Sequence, residues 1–165
     1  MNMDKGSDKR IMHDRKIYEA LHDPMTGAYT RSAFNVFLYD ADRPHSTLLL
    51  ADIVNYDEIV KKEGQEAADR TIISFTDVLK TSFRASDFVC RLDIHRFGVI
   101  LTRVNGREDA VISEKVGNLR TEYKAAGEGS ADADIRFGLI YGDVETQGLD
   151  MYDEAEKALA EGGNR

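Results

Sequence analysis

Residues 46–54 read Ser46-Thr47-Leu48-Leu49-Leu50-Ala51-Asp52-Ile53-Val54. A near-continuous apolar run of this length, in place of strict alternation, is what a central strand needs when both faces of its sheet are covered. The run carries one acid, Asp52, near its end. The flanking segments fit a covered sheet. Upstream, Ile11, Ile17, Tyr18 and Leu21 predict a helix, and His22-Asp23-Pro24 stops it, because the residue before a proline is pushed out of the helical region. The first ten residues are polar and are expected to fray. Thr26-Gly27 reads as a turn, and a second helix from about Thr30 carries Phe34, Phe37 and Leu38 on one side.

Downstream, residues 56–83 read as helix, bent or broken near Gly64. Ile72, Phe75, Leu79 and Phe83 recur there at spacings of three and four and form one stripe. Phe88–Leu92 and Phe97–Leu101 are short strands, and Asp93-Ile94-His95-Arg96 between them suits a hairpin connection. Ile112, Val116, Leu119 and Tyr123 predict a helix. Gly127–Asp134 is a loop of small and polar residues, Ile135–Tyr141 a strand, and Met151–Ala160 a last helix ending at Gly162-Gly163. The order predicts an α/β or α+β fold with a central mixed sheet flanked by helices. Tyr18, Phe34, Phe75, Phe83 and Cys90 are core candidates, whereas His13 and His22 are expected to face solvent.

The chain has 165 residues, 42% hydrophobic and 32% charged. That is the size of one domain, and folding would bury roughly 70% of the unfolded surface. Acids outnumber bases 30 to 22, a net charge of −8. Such a balance argues against a nucleic-acid polymer or an anionic membrane as partner, since both need a basic face. A lone cysteine excludes an intrachain disulfide and a cysteine-based zinc site. No apolar run approaches the ~18 residues of a membrane span, and residues 1–16 are too charged for a signal peptide. The expectation is a cytoplasmic protein: a polar tail with the start of the first helix over residues 1–16, then one domain over residues 17–165.

Several segments, in order, resemble the GGDEF family, the diguanylate cyclase domains that join two GTP molecules into cyclic di-GMP. Asp23-Pro24-Met25-Thr26-Gly27-Ala28-Tyr29-Thr30-Arg31 is similar to the family's opening Asp-x-Leu-Thr-Gly-Leu-x-Asn-Arg pattern. Asp52-Ile53-Val54-Asn55-Tyr56-Asp57 resembles its Asp-Ile-Asp-x-Phe-Lys strand end. Gly64-Gln65-Glu66-Ala67-Ala68-Asp69 matches its Gly-His-x-x-Gly-Asp segment. The signature itself falls on Asp93-Ile94-His95-Arg96-Phe97, after Phe88–Leu92. Ile135–Ile140 and Gly162-Gly163-Asn164 match the closing segments. The resemblance implies a ferredoxin-like core related to the nucleotide cyclases.

It also implies what chemistry to expect. In the family, two divalent metals held by carboxylates offset phosphate charge while a 3′-hydroxyl attacks an α-phosphate. Asp52 matches the first metal-binding aspartate, and Asp69 the acid that reads the guanine edge. Around them the pattern is lost. Asp93 and Ile94 replace two glycines, and His95 and Arg96 replace two acids. Val54 replaces an aspartate and Val60 a guanine-binding asparagine. Asp57 replaces a phosphate-facing lysine, and Leu159 and Gly163 replace basic residues. No catalytic residues are therefore expected, Asp52 is a vestigial metal ligand, and Mg2+ is called for only if residual GTP binding at Asp69 exists. A new transition-metal site from His95, Asp52 and Asp93 is weighed against an ordinary turn histidine.

Arg84-Ala85-Ser86-Asp87 matches the family's inhibitory Arg-x-x-Asp. An arginine fork suits guanine O6 and N7, and an aspartate suits N1 and N2. The alternative is a solvated Arg84 beside a capping Asp87. The leading reading is a catalytically inactive signalling domain that regulates a partner or binds cyclic di-GMP through Arg84 and Asp87. The alternatives are a diguanylate cyclase with altered metal ligands and a nucleotide-independent interaction or dimerisation module. A homodimer or an upstream sensor domain is the expected protein partner, and GTP is not an expected ligand.

Overall fold

A computed structural model describes residues 5–41, 46–102, 109–142 and 148–161. Strand β1 (Ser46–Ile53) lies inside a four-stranded sheet ordered β2-β3-β1-β4, with β2 at Phe88–Arg91, β3 at Arg96–Thr102 and β4 at Ile135–Tyr141. Every residue of β1 is buried, as its unbroken apolar run requires. Helices α3 (Tyr56–Glu63) and α4 (Gln65–Ser82) connect β1 to β2, and α5 (Asp109–Ala126) connects β3 to β4. This β-α-β-β-α-β order with the first strand in the centre is the ferredoxin-like arrangement. The sheet differs from the mixed one expected: β1 pairs antiparallel with β3 and with β4, and β2 pairs antiparallel with β3. A connection by helix between two strands that are not neighbours leaves an oppositely running strand between them. The isolated bridge Tyr29–Cys90 is parallel.

The two sheet faces carry separate cores. On one, Leu49, Ala51 and Ile53 pack with Phe97, Val99 and Phe137 under Ile72, Phe75 and Leu79 of α4 and Val116 and Leu119 of α5. On the other, Leu48, Leu50, Cys90 and Ile100 meet Phe34 and Leu38 of α2 (Arg31–Asp40) and Met151, Ala155 and Leu159 of α6 (Gly148–Ala160). Alternation along β1 thus feeds two cores from one run. Helix α6 approaches β4 so closely that a Cβ on Gly138 would fall onto the Ala155 carbonyl. Thr30 caps α2 by accepting from the Ala33 amide at 3.3 Å. Gly64 makes the expected break, ending α3 and starting α4 at φ 93°.

Three expectations are corrected. Residues 5–10 are helical, because helix α1 spans Lys5–Leu21. Tyr18 is not core; it is 58% exposed, whereas Phe34, Phe75, Phe83 and Cys90 are buried. His22 does not simply face solvent, because its ring stacks on Tyr18 at 3.8 Å and its Nδ1 lies 2.9 Å from the Gly27 carbonyl oxygen. Residues 8–21 of α1 are all exposed, and Ile11, Ile17, Tyr18 and Leu21 fall within one side of the helix. No described helix is long and apolar enough to cross a membrane.

Candidate functional site

The end of β1 and the β2–β3 turn bring Asp52, His95 and Arg96 together. Asp52 and Arg96 are partners in the β1–β3 register, so their side chains leave the same face. The Asp52 carboxylate is engaged on both oxygens. Oδ1 pairs with His95 Nδ1 at 2.5 Å, and Oδ2 accepts from Arg96 Nε at 3.1 Å. Arg96 also donates through Nη1 to Glu156 on α6 at 2.7 Å. Partial burial alone would lower the Arg96 pKa, but Tyr152 and Asp52 outweigh it and hold the guanidinium above its ordinary value. The His95 ring stacks on Tyr56 at 5.3 Å, and the Tyr56 hydroxyl accepts from Gln65 Nε2 at 3.0 Å. Gln65 Nε2 donates to Asp69 Oδ1 at 2.8 Å. Asp52 and Asp69 are thus joined by one chain of side chains and are not two separate solvated acids.

The turn itself is clamped from the opposite side. Arg91 donates to the Ile94 carbonyl through Nε at 3.2 Å and Nη2 at 2.8 Å, and through Nη1 to Asp23 Oδ2 at 3.1 Å. Burial would raise the Asp23 pKa, but hydrogen bonds from Thr26 and Arg91 outweigh it and hold the carboxyl below its ordinary value. Asp93 Oδ1 accepts from the Ile94 amide at 2.7 Å. A cleft of about 350 Å³ lies beside this turn, lined by Asp23, Arg31, Arg91, Asp93 and Ile94 among others.

These residues do not fit a pair of hard divalent cations. A hard cation needs carboxylate oxygens free to bind it, whereas both oxygens of Asp52 face cationic or imidazole nitrogen. Among the described residues no group of three or more His, Cys, Asp and Glu side chains gathers where an ion could be held. The imagined His95–Asp52–Asp93 set is not assembled: His95 joins Asp52, and Asp93 turns back to its own loop. Phe97 is fully buried in the core.

Of the other replaced positions, Leu159 is buried under the sheet, Val60 packs half-buried on the core, and Val54 is 42% exposed. Asp57 is exposed in the first turn of α3, where its charge suits the helix N-terminus. Gly162-Gly163-Asn164 lie outside the described residues.

Arg84 and Asp87 are adjacent, at the opposite end of β3 from the turn. Asp87 Oδ2 accepts from the Arg84 amide at 2.9 Å, and Oδ1 from the Thr102 amide at 3.2 Å. Arg84 Nη2 donates to the Thr102 carbonyl at 2.7 Å and lies 3.5 Å from Asp87 Oδ1. The Asp87 side chain is only 1% exposed, and that of Arg84 is 49% exposed. Asp87 therefore staples the α4–β2 connection to the end of β3, and Arg84 is the member of the pair that faces outward.

Sequence reading did not find Glu156, Tyr152, Tyr56 or the Asp23–Arg91 bridge. No local signal marks them, because Arg96 for Glu156 and Tyr152, His95 for Tyr56 and Arg91 for Asp23 are partners 39 or more positions away in the chain.

The fold is thus a ferredoxin-like sheet covered by helices on both faces, with Asp52 at the end of the first strand facing the hairpin turn. The family model "Diguanylate cyclase, GGDEF domain" matches residues 20–165, and the chain belongs to the GGDEF family. It is 31% identical over 101 residues to the probable diguanylate cyclase DgcC of Escherichia coli K12, a match covering 57% of this chain. That match spans only 27% of the length of DgcC. Among solved structures, the coiled coil and GGDEF domain of DgcB from Caulobacter crescentus, in complex with c-di-GMP, superposes with a TM-score of 0.83. Identity to it is 18%, covering 94% of this chain and 87% of that one. The S helix-GGDEF-EAL portion of Vibrio cholerae LapD superposes with a TM-score of 0.75 at 18% identity, covering 94% of this chain and 37% of that one.

Proposed function

We propose that this chain is a catalytically inactive GGDEF domain that serves cyclic di-GMP signalling as a regulatory module. One observation carries the reading: both oxygens of Asp52 are bound by His95 and Arg96, so the acid that would hold a metal already has a cation built into the fold. An approaching Mg2+ would have to displace a guanidinium that Glu156 also holds. The losses at Val54, Val60 and Asp57 point the same way. The test is incubation with GTP and Mg2+ or Mn2+, followed by chromatographic resolution of nucleotides. No cyclic di-GMP is expected. Turnover that disappears in Asp52→Ala would establish the cyclase reading in its place.

A second reading, binding of cyclic di-GMP at Arg84, is favoured by the half-exposed guanidinium at the Arg-x-x-Asp position. Because Asp87 faces inward, the contact would rest on Arg84 stacking on or forking to a guanine. Calorimetric titration with cyclic di-GMP tests it: binding lost in Arg84→Ala supports the site, and a flat titration leaves the protein-docking role. For a protein partner, the unpacked side of α1 (Ile11, Ile17, Tyr18 and Leu21) is the natural attachment to a second copy or to an upstream sensor. Most helical stability in proteins comes from packing of an apolar face, so a partner on this side would stabilise α1.

A further inference from the structure

We infer that the sheet end that carries the vestigial metal ligand is a docking surface for a basic polypeptide segment with aliphatic side chains. The register pairs Asp52 with Arg96, and the Ile53 amide donates to the His95 carbonyl at 3.0 Å. Val54 lies two residues beyond Asp52 and Ile94 two residues before Arg96, just past the last pair of that ladder. These are 42% and 55% exposed. An isolated exposed aliphatic residue needs no explanation. Here two stand just past the end of one ladder, and they occupy places where the family resemblance calls for an aspartate and a glycine. Neither contributes to a core, so folding gives no reason for an apolar side chain at either place. The turn bearing Ile94 is also fixed in advance, since Arg91 holds its carbonyl and Asp93 its amide. A pre-ordered apolar tip loses little freedom on binding.

The charges around the pair select the occupant. Asp57, Glu58, Asp93 and Asp132 are all exposed, and the Asn55 side chain bonds the 132 carbonyl and the 134 amide, drawing that acidic loop to the end of β1. Asp134 is paired with Arg136. An acidic rim repels nucleic acid and repels a second copy of the same face, and it attracts lysine and arginine. The surface therefore fits a segment that offers an aliphatic side chain to Val54 and Ile94 and basic side chains to the rim.

The test uses the full chain and a synthetic peptide of lysines and leucines, with an all-lysine and a glutamate–leucine peptide of equal length as controls. Backbone amide NMR shifts report the site. The lysine–leucine peptide is expected to move residues 52–58 and 93–96 and to bind more tightly than either control. Ile94→Asp and Val54→Asp are each expected to weaken it roughly tenfold, and Tyr39→Asp, at a distant exposed position, to leave it unchanged. Equal binding of the all-lysine peptide, shifts that map elsewhere, or no binding would overturn the inference. So would a dimer in sedimentation that Ile94→Asp dissociates, since the occupant would then be a second copy. None of these outcomes depends on whether the domain turns over GTP.

Discussion

Asp52 and Arg96 face one another across the β1–β3 ladder, and the carboxylate accepts the Arg96 Nε proton at 3.1 Å. The Asp52 side chain is 9% exposed and that of Arg96 26%, so water screens this pair only partly. The same guanidinium reaches Glu156 and thereby ties the hairpin to α6. A divalent ion in this place could come and go. A side-chain cation cannot, so the acid becomes a fixed structural element.

Breaking that pair from one side should cost stability. Arg96→Met leaves a nearly buried carboxylate with only His95, and a loss of about 2 kcal/mol is expected. Asp52→Asn should cost a similar amount, and the double variant less than the sum of the two. A double-mutant cycle by urea denaturation with a coupling below about 0.3 kcal/mol would show the contact to be energetically idle.

Gly138 and Gly117 should respond oppositely to alanine. At Gly138 the new Cβ meets the Ala155 carbonyl and the Leu159 amide, both backbone, so α6 must shift; about 2 kcal/mol or more is expected to be lost. At Gly117, exposed within α5 with nothing near the added Cβ, the variant should gain roughly 0.5–1 kcal/mol from helix propensity. Thermal melts of the two variants check both signs.

Asp23 should make the fold acid-sensitive. Its Oδ2 accepts from the Thr26 amide at 3.0 Å, the Thr26 hydroxyl at 2.7 Å and Arg91 Nη1 at 3.1 Å. Its folded pKa lies below the ordinary value, so its contribution is complete above the unfolded pKa of about 3.9 and fades as pH falls through the folded one. Asp23→Asn should be less stable than the parent by roughly 1.5 kcal/mol at neutral pH. Denaturation at stepwise lower pH should show that difference shrinking below about pH 4, and a difference that grows would reverse the sign argued for Asp23.

Removing residues 1–16 should leave the stability of the remainder nearly unchanged. Residues 8–16 are exposed throughout, and the stack of Tyr18 on His22 and of His22 on Tyr29 at 4.4 Å lies beyond the cut. A melting temperature within about 2 °C of the parent is expected; a larger drop would mean that α1 packs on the body.

Much of this architecture is legible locally. The unbroken run at Ser46–Ile53, the stripe through Ile72, Phe75 and Leu79 and the Gly64 break each follow from periodicity or backbone sterics within a short window. The hairpin is legible too, but its turn is shifted by one residue to 92–95, because Arg96 already pairs with Asp52 in β3. The same kind of reading failed for Tyr18, because periodicity marks an apolar face without saying whether anything covers it. It failed for the sheet as well, where pairing direction depends on which strands become neighbours.

The candidate site divides along the same line. From sequence, Asp52 is the acid at the end of a buried strand, and His95 and Arg96 break the family's acidic turn. That they close onto Asp52 is decided only when β3 lies beside β1 in register, which sets residues 52 and 96 opposite one another from 44 positions apart. Arg84 and Asp87 are recognisable as a motif. Whether Asp87 faces a ligand or the backbone of Thr102 depends on where β3 ends. Residue type and spacing determine which elements form and which groups are charged, because those are short-range properties. Which charges neutralise each other is fixed by packing, because ion pairing depends on distances of a few ångströms that only the assembled sheet supplies.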